Sequence, residues 1–324
     1  VVFGEGIDHV EFEVVSNAEK TSCKTISDIE SCIKDKLKNI HPDTTALLLS
    51  GGIDSGILAS YMPEGTVAYT VSSPAKAAQI EIERAARVCN RYGLEHRIVE
   101  VTWEDYENCI DILMKHDGCP VFANEPQVYA LTKKIQKDGF DTVVIGDNAD
   151  MAFGGMDRML SKDWTFDEWV ERYTFVSPEK VLVNPASVID VYERYRTGEN
   201  SIDFIKFIDE VFATSSSGAY INAFHCLGMN SLDPYAFMKM AEPLDLQRVR
   251  AGDSKYLLRE LYRARFPEFE VPEKIAMARA VDTWLADWEG PKRKEFKKRC
   301  IEGMTGEQKF LVYSLERFLN IMKL

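Results

Sequence analysis

Apolar and polar positions along the chain change period several times, and those changes divide it. HVEFEVV (9–15) alternates apolar and charged residues and predicts a half-exposed strand, whereas ISDIESCIKDKLKNI (26–40) has the spacing of an amphipathic helix. His41-Pro42-Asp43 then punctuates the chain before a different regime. From residue 45 short apolar runs take turns with helical segments. The runs are ALLLS (46–50), TVAYTVS (66–72), HRIVEV (96–101) and DTVVIG (141–146). Between them lie a helix from Asp54, IEIERAARVCNRYG (80–93), EDYENCIDILMKH (104–116) and PQVYALTKKIQKDG (126–139). This alternation predicts an α/β fold, a mainly parallel sheet covered by helices on both faces. Gly93 and Gly139 stand where helix C-caps belong.

Beyond about residue 160 the strand signal fades. WTFDEWVERYTF (164–175), DFIKFIDEVFA (203–213), KYLLRELYRARF (255–266) and GEQKFLVYSLERFLNIM (306–322) all have helical spacing. The expected organisation is a short strand and helix segment over 1–43, an α/β core over 44–160, and a mostly helical region over 161–324 that completes the fold. No internal repeat or low-complexity tract interrupts it.

Charge and cysteine content narrow the function classes. Asp and Glu number 52 against 39 Lys and Arg, a formal charge of −13, so the chain has no overall excess of positive charge for nucleic-acid phosphates. Seven cysteines lie far apart with no C-x-x-C pair, as expected of reduced thiols in a cytosolic protein. No apolar run approaches the ~20 residues of a membrane span, and VVFGEGIDHVEFEVV lacks the features of a signal peptide. The expectation is a soluble, cytoplasmic protein without membrane or nucleic-acid partners.

The candidate chemistry starts at Ser50-Gly51-Gly52-Ile53-Asp54-Ser55, where an apolar strand turns directly into a helix. At the C-terminal edge of a parallel strand such a turn presents backbone N–H groups and the positive helix end to an anion. Two glycines let the backbone approach phosphate oxygens, and the hydroxyls of Ser50 and Ser55 add donors. A carboxylate there would repel bare phosphate, so Asp54 implies a divalent cation, magnesium, between them. The turn has no Gly-Lys-Ser/Thr and is therefore not a Walker loop. The plainer reading is a tight turn with Asp54 as helix cap, against which stands the full S-G-G-x-D-S string after an apolar strand.

The string resembles the pyrophosphate loop of the ATP pyrophosphatases, which cleave ATP between the α and β phosphates. A second glycine-rich acidic turn, VVIGDNADMAFGG (143–155), resembles the corresponding segment of the asparagine synthetase family, with Gly146, Asp150, Phe153, Gly154 and Gly155 matching. EIERAARVCNRYGLEH, PQVYALTKKIQKDGFD, Lys255-Tyr256-Leu257-Leu258-Arg259 and FPEFEVPEK resemble further segments of that family in order, from about 44 to 290. The resemblance implies an adenine nucleotide alpha-hydrolase-like fold, with ATP and Mg²⁺ as cofactors. It places Asp54 and Asp150 on the metal, and Ser50, Gly51, Gly52 and Ser55 around pyrophosphate. Leu48, Val71 and Gly146 would read adenine through their main chain, and Lys274 would meet the α-phosphate and the developing oxyanion.

Three departures from the family matter. The usual glutaminase domain is missing from this sequence, which leads to the expectation that ammonia is not made from glutamine by this chain. The glutamate of the acidic turn is Asp147, followed by Asn148 in place of glycine, and the second glutamate is Met151. Asp147 is one methylene shorter than its counterpart and marks where substrate choice would show. The expected reaction is adenylation of a small-molecule carboxylate or amide oxygen, followed by transfer to ammonia or an amine, with Asp147 accepting a proton. Three alternatives stay open: sulfur transfer onto the same adenylate, with Cys119 or Cys226 as candidates; a non-catalytic nucleotide-binding subunit; and one subunit of a split amidotransferase docked on a separate glutaminase.

Overall fold

The computed structural model describes residues 19–275 and 277–323, so the strand expected at 9–15 lies outside the described residues. Five parallel strands form the main sheet, in the spatial order Glu95–Glu100, Val67–Ser72, Thr45–Leu48, Thr142–Val144, Asn230–Leu232. The chain builds outward from Thr45–Leu48 in one direction, then returns to its other side with Thr142–Val144. These two neighbouring strands therefore flank the topological switch point, where their C-terminal ends leave a crevice.

Both faces of the sheet are covered, as the unalternating apolar runs require. In Thr45–Leu48 the side chain of Ala46 enters one core and that of Leu47 the other; Val143 and Val144 divide in the same way. The core containing Leu47 and Val144 is closed by helices Ile26–Leu37, Ile53–Ala59, Lys76–Tyr92 and Tyr256–Arg265, through Ile29, Ile57, Val88 and Leu258. The opposite core is closed by Trp103–Asp117, Asn124–Lys137, Ala213–His225 and Gly306–Met322, through Leu113, Val128, Phe224 and Phe310. Gly93 caps its helix in the left-handed conformation, and Gly139, also at positive φ, follows its helix by one residue past the Asp138 cap.

The region beyond 160 is mostly helical, with four differences from expectation. Its Asn230–Leu232 segment supplies the fifth sheet strand, paired with Thr142–Val144, and Met238–Met240 pairs in parallel with Thr21–Cys23. Both are too short and too polar at their exposed positions to carry a period. A hairpin, Arg196–Gly198 with Ser201–Ile202, lies beside a separate aromatic core around Trp169, Phe204 and Phe207. The helical run at 203–213 is also not continuous: a π-turn at Ile208–Phe212 joins Phe204–Phe207 to Ala213–His225. Among the described residues, no helix is long and apolar enough to cross a membrane.

Candidate active site

Both glycine-rich turns emerge at the switch point and face each other. The first leaves Thr45–Leu48 and enters the helix Ile53–Ala59 with Gly52 as N-cap and Asp54 in the first turn. Gly51 sits at φ +69, and a Cβ there would lie 2.4 Å from the Arg84 Cβ and 2.6 Å from the Ala85 nitrogen. Glycine is required twice over, for the left-handed backbone and for contact with the helix behind it. Gly51→Ala is accordingly expected to destabilise the protein by about 2 kcal/mol or more, lowering the urea midpoint; an unchanged midpoint would show that the loop can shift away. The Ser50 and Ser55 hydroxyls lie 3.1 Å apart, and the Ser50 nitrogen donates to Ser55 Oγ at 3.2 Å. The loop is thus pre-shaped by its own hydroxyls.

The second turn leaves Thr142–Val144 through Gly146 into the short helix Ala149–Phe153, which ends at Gly154 in the left-handed conformation. Gly146 packs closely, since a Cβ there would meet a Tyr235 ring carbon at 3.3 Å and the Asp54 Cβ at 3.4 Å. One segment braces both lips of the crevice. Following the fifth strand, Asp233 accepts from the Asn148 nitrogen at 2.7 Å and its Nδ2 at 3.0 Å, while the buried Tyr235 hydroxyl donates to the Asp54 carbonyl at 3.0 Å. Leu48 and Val71 lie toward the C-terminal ends of adjacent strands, on the same side as Gly146.

Asp54 and Asp150 are brought together, one from each lip, across a cavity of about 140 Å³ also lined by Ser50, Gly52, Lys255 and Lys274. The Lys255 ammonium stands between the two carboxylates, 2.5 Å from Asp54 Oδ2 and in contact with Asp150 Oδ1. Lys274 donates to Asp150 Oδ2 at 2.6 Å and to the Gly155 carbonyl at 2.5 Å. Burial raises the cost of ionising Asp150, but the two ammonium groups outweigh it and hold the carboxyl low. The same two carboxylates hold Lys255 protonated against its own burial. Asp54 is pushed up by burial more than Lys255 pulls it down, and its Oδ1 is buried with no hydrogen-bond partner.

That orphaned oxygen, facing a second carboxylate across the crevice, fits a divalent cation. No group of three or more His, Cys, Asp or Glu gathers as a metal site among the described residues. Two carboxylates alone suit magnesium, which commonly takes one or two protein carboxylates and completes its shell with phosphate oxygens and water.

Lys274 lies on a loop clamped by one face of the helix Lys76–Tyr92. Arg84 Nη1 donates to the Glu273 carbonyl at 3.0 Å, and the Ala278 nitrogen donates to Glu81, whose carboxyl burial pushes to about 7. Asp147 lies in the second turn, between Gly146 and Asn148. Burial, reinforced by Asp233, pushes its carboxyl to about 7, and the Ser217 hydroxyl, 3.3 Å from Asp147 Oδ2 and 3.2 Å from Asn148 Oδ1, is shared between them. Ser217 comes from the helix that follows the π-turn.

Of the residues expected from sequence, Ser50, Gly52, Asp54, Asp150 and Lys274 line this crevice; Gly51 and Ser55 belong to its first turn, and Asp147 to its second. Lys255, Asp233, Ser217, Glu81 and Arg84 were not singled out. Of these, Lys255, Glu81 and Arg84 fall within segments that resemble the family, Lys255-Tyr256-Leu257-Leu258-Arg259 and EIERAARVCNRYGLEH, whereas Asp233 and Ser217 do not.

The chain has similarity to known proteins. The asparagine synthase family model matches residues 42–206, about half of the chain and inclusive of both turns. A 62-residue stretch is 40% identical to a 7-cyano-7-deazaguanine synthase of Desulforamulus reducens, covering 18% of this chain and 27% of that protein. Among solved structures, an NMN synthetase from Francisella tularensis aligns with a TM-score of 0.28 at 17% identity, over 40% of this chain and 57% of that one. An NH3-dependent NAD synthetase from Campylobacter jejuni gives 0.27 at 20%, over 40% and 58%. The chain thus spans about a quarter of that curated relative and somewhat more than half of those structures. On the family match, with both acidic glycine turns inside it, this chain belongs to the asparagine synthase family.

Proposed function

We propose that the protein is an ATP-dependent synthetase that adenylates a small-molecule carboxylate or amide oxygen, releases pyrophosphate, and passes the activated group to ammonia or an amine with loss of AMP. The observation that carries this reading is the pair of carboxylates, Asp54 and Asp150, facing each other across a crevice floored by Ser50–Ser55 and flanked by two lysines. The loop amides and the Ser50 and Ser55 hydroxyls are suited to the β and γ phosphates, and the main chain at Leu48, Val71 and Gly146 to adenine. Bound by Asp54 and Asp150, magnesium would offset charge on the departing pyrophosphate.

A carboxylate cannot expel oxide, so its activation replaces that leaving group with AMP. Lys274, carried by a loop fixed at Glu273 and Ala278, supplies a positive charge where the oxyanion develops. Asp147 is poised to take a proton from the incoming amine because its carboxyl is held near neutrality rather than near 4. Being a raised carboxylic acid, it is protonated below about 7 and becomes a base above it. Amide formation is therefore expected to rise with pH through about 7, and Asp147→Asn to remove that limb while adenylate accumulates; product formation at the native rate by this variant would exclude Asp147 from the transfer.

Sulfur transfer is not favoured. Burial raises the thiols of all seven cysteines; Cys119 donates to Asp117 at 2.7 Å, and Cys226 is held up at about 11 beside Asn222. None has the depressed pKa of a reactive thiolate. The test of the proposed reaction is product analysis of ATP turned over with a library of carboxylic acids and ammonia or amines. AMP and pyrophosphate are expected; ADP and phosphate would contradict α-phosphate chemistry.

A further inference from the structure

We infer that Lys255 is the resident counter-cation of the Asp54–Asp150 pair, and that its ammonium must leave this position before a divalent metal can enter. This inference rests on the proposed function for the identity of the metal and of the triphosphate that arrives with it.

Several local costs are accepted to put an ammonium there. Lys255 is 6% exposed and adopts φ +51, a left-handed conformation unfavourable for a non-glycine residue, at the start of the helix Tyr256–Arg265. The backbone facing it leaves no room for a side chain while both groups stay in place: a Cβ on Gly155 would lie 2.0 Å from Lys255 Cε and 2.1 Å from Asp150 Oδ1. The side chain reaches a partner 201 residues away in sequence and touches a carboxylate from each lip. Such a placement is explained by what its absence would leave, two part-buried carboxylates facing each other with the half-exposed Lys274 on one of them.

A magnesium ion bridging Asp54 and Asp150 competes with the ammonium that now bridges them. A metal bound at about 2.0–2.1 Å from its ligands would occupy the space in which Lys255 Nζ stands. Charge sets the order of events. Asp54 and Asp150 are balanced by Lys255 and Lys274, so a bare dication would add two uncompensated positive charges, whereas triphosphate oxygens arriving with the metal offset them and offer Lys255 another anion. The flexible four-carbon stem of lysine lets the ammonium swing from carboxylate to phosphate while both carboxylates stay in place. Lys255 thus makes metal loading wait for the nucleotide and positions itself on the phosphates when it arrives.

Manganese(II) binding to the full chain, followed by electron paramagnetic resonance, tests this with and without α,β-methylene ATP. Without nucleotide, Lys255→Met and Lys255→Gln are expected to bind manganese more tightly than the native protein by on the order of tenfold to a hundredfold, and manganese is expected to raise the Tm of these variants only. Native protein that binds manganese without nucleotide as tightly as the variants do would overturn the inference, and tight nucleotide-free binding by the native protein would overturn it even if neither variant folded. The nucleotude-dependent arm separates the two readings: tighter metal binding by the variants, with no effect of the nucleotide analogue on the native protein, supports the lysine's role and contradicts the proposed use of ATP.

Discussion

Asp54→Asn and Asp150→Asn are each expected to lower metal-dependent pyrophosphate release by about three orders of magnitude. Asparagine keeps the size of the side chain and one carbonyl oxygen but removes the charge that makes a hard cation bind. The two substitutions should differ in their side effects. Among the described residues Asp54 forms an ion pair with Lys255, whereas Asp150 pairs with both Lys255 and Lys274, so losing Asp150 also leaves the lysine assigned to the oxyanion on the Gly155 carbonyl alone. Circular dichroism and thermal melting check that the fold survives. Rates near native from a folded variant would show that the metal is held elsewhere.

The second large effect is expected at Lys274. Replacement by Met is expected to reduce kcat by about 10²- to 10³-fold, the usual loss for one group that meets an oxyanion, with a small change in the KM for ATP. Its side chain is 40% exposed and its loop is tied by Arg84 and Glu81, so the substitution leaves no buried charge and the backbone stays in place. A lysine that served only to neutralise Asp150 would change KM and magnesium dependence instead. Initial rates at saturating ATP decide between these outcomes, and a kcat within twofold of native would remove Lys274 from the chemistry.

The parts of the site legible in sequence are those where function is written into consecutive residues. Ser50 through Ser55 follow an apolar strand and break into glycines, and Gly146 through Gly155 repeat that grammar with Asp150 inside it. Both turns project from neighbouring strands because parallel βαβ units put every strand's C-terminal end on one side of the sheet. The braces were not legible, because their roles depend on contacts across the fold. Asp233 lies 85 residues from Asn148, and Tyr235 lies 181 from the Asp54 carbonyl it holds. Asn230–Leu232 gives no strand signal because three residues cannot show a period, and its pairing is imposed by the neighbouring Thr142–Val144. The π-turn at Ile208–Phe212 was hidden for a related reason: the apolar spacing of DFIKFIDEVFA continues through it unchanged.

The central claim is that Ser50–Ser55 hold the outer phosphates of ATP through a cation shared by Asp54 and Asp150. A crystal structure with magnesium and α,β-methylene ATP tests it most directly. The account predicts the β and γ phosphates against the Ser50–Ser55 loop, with one metal ion between the two carboxylates. A triphosphate bound outside this crevice, with Asp54 and Asp150 still closed on Lys255, would contradict it.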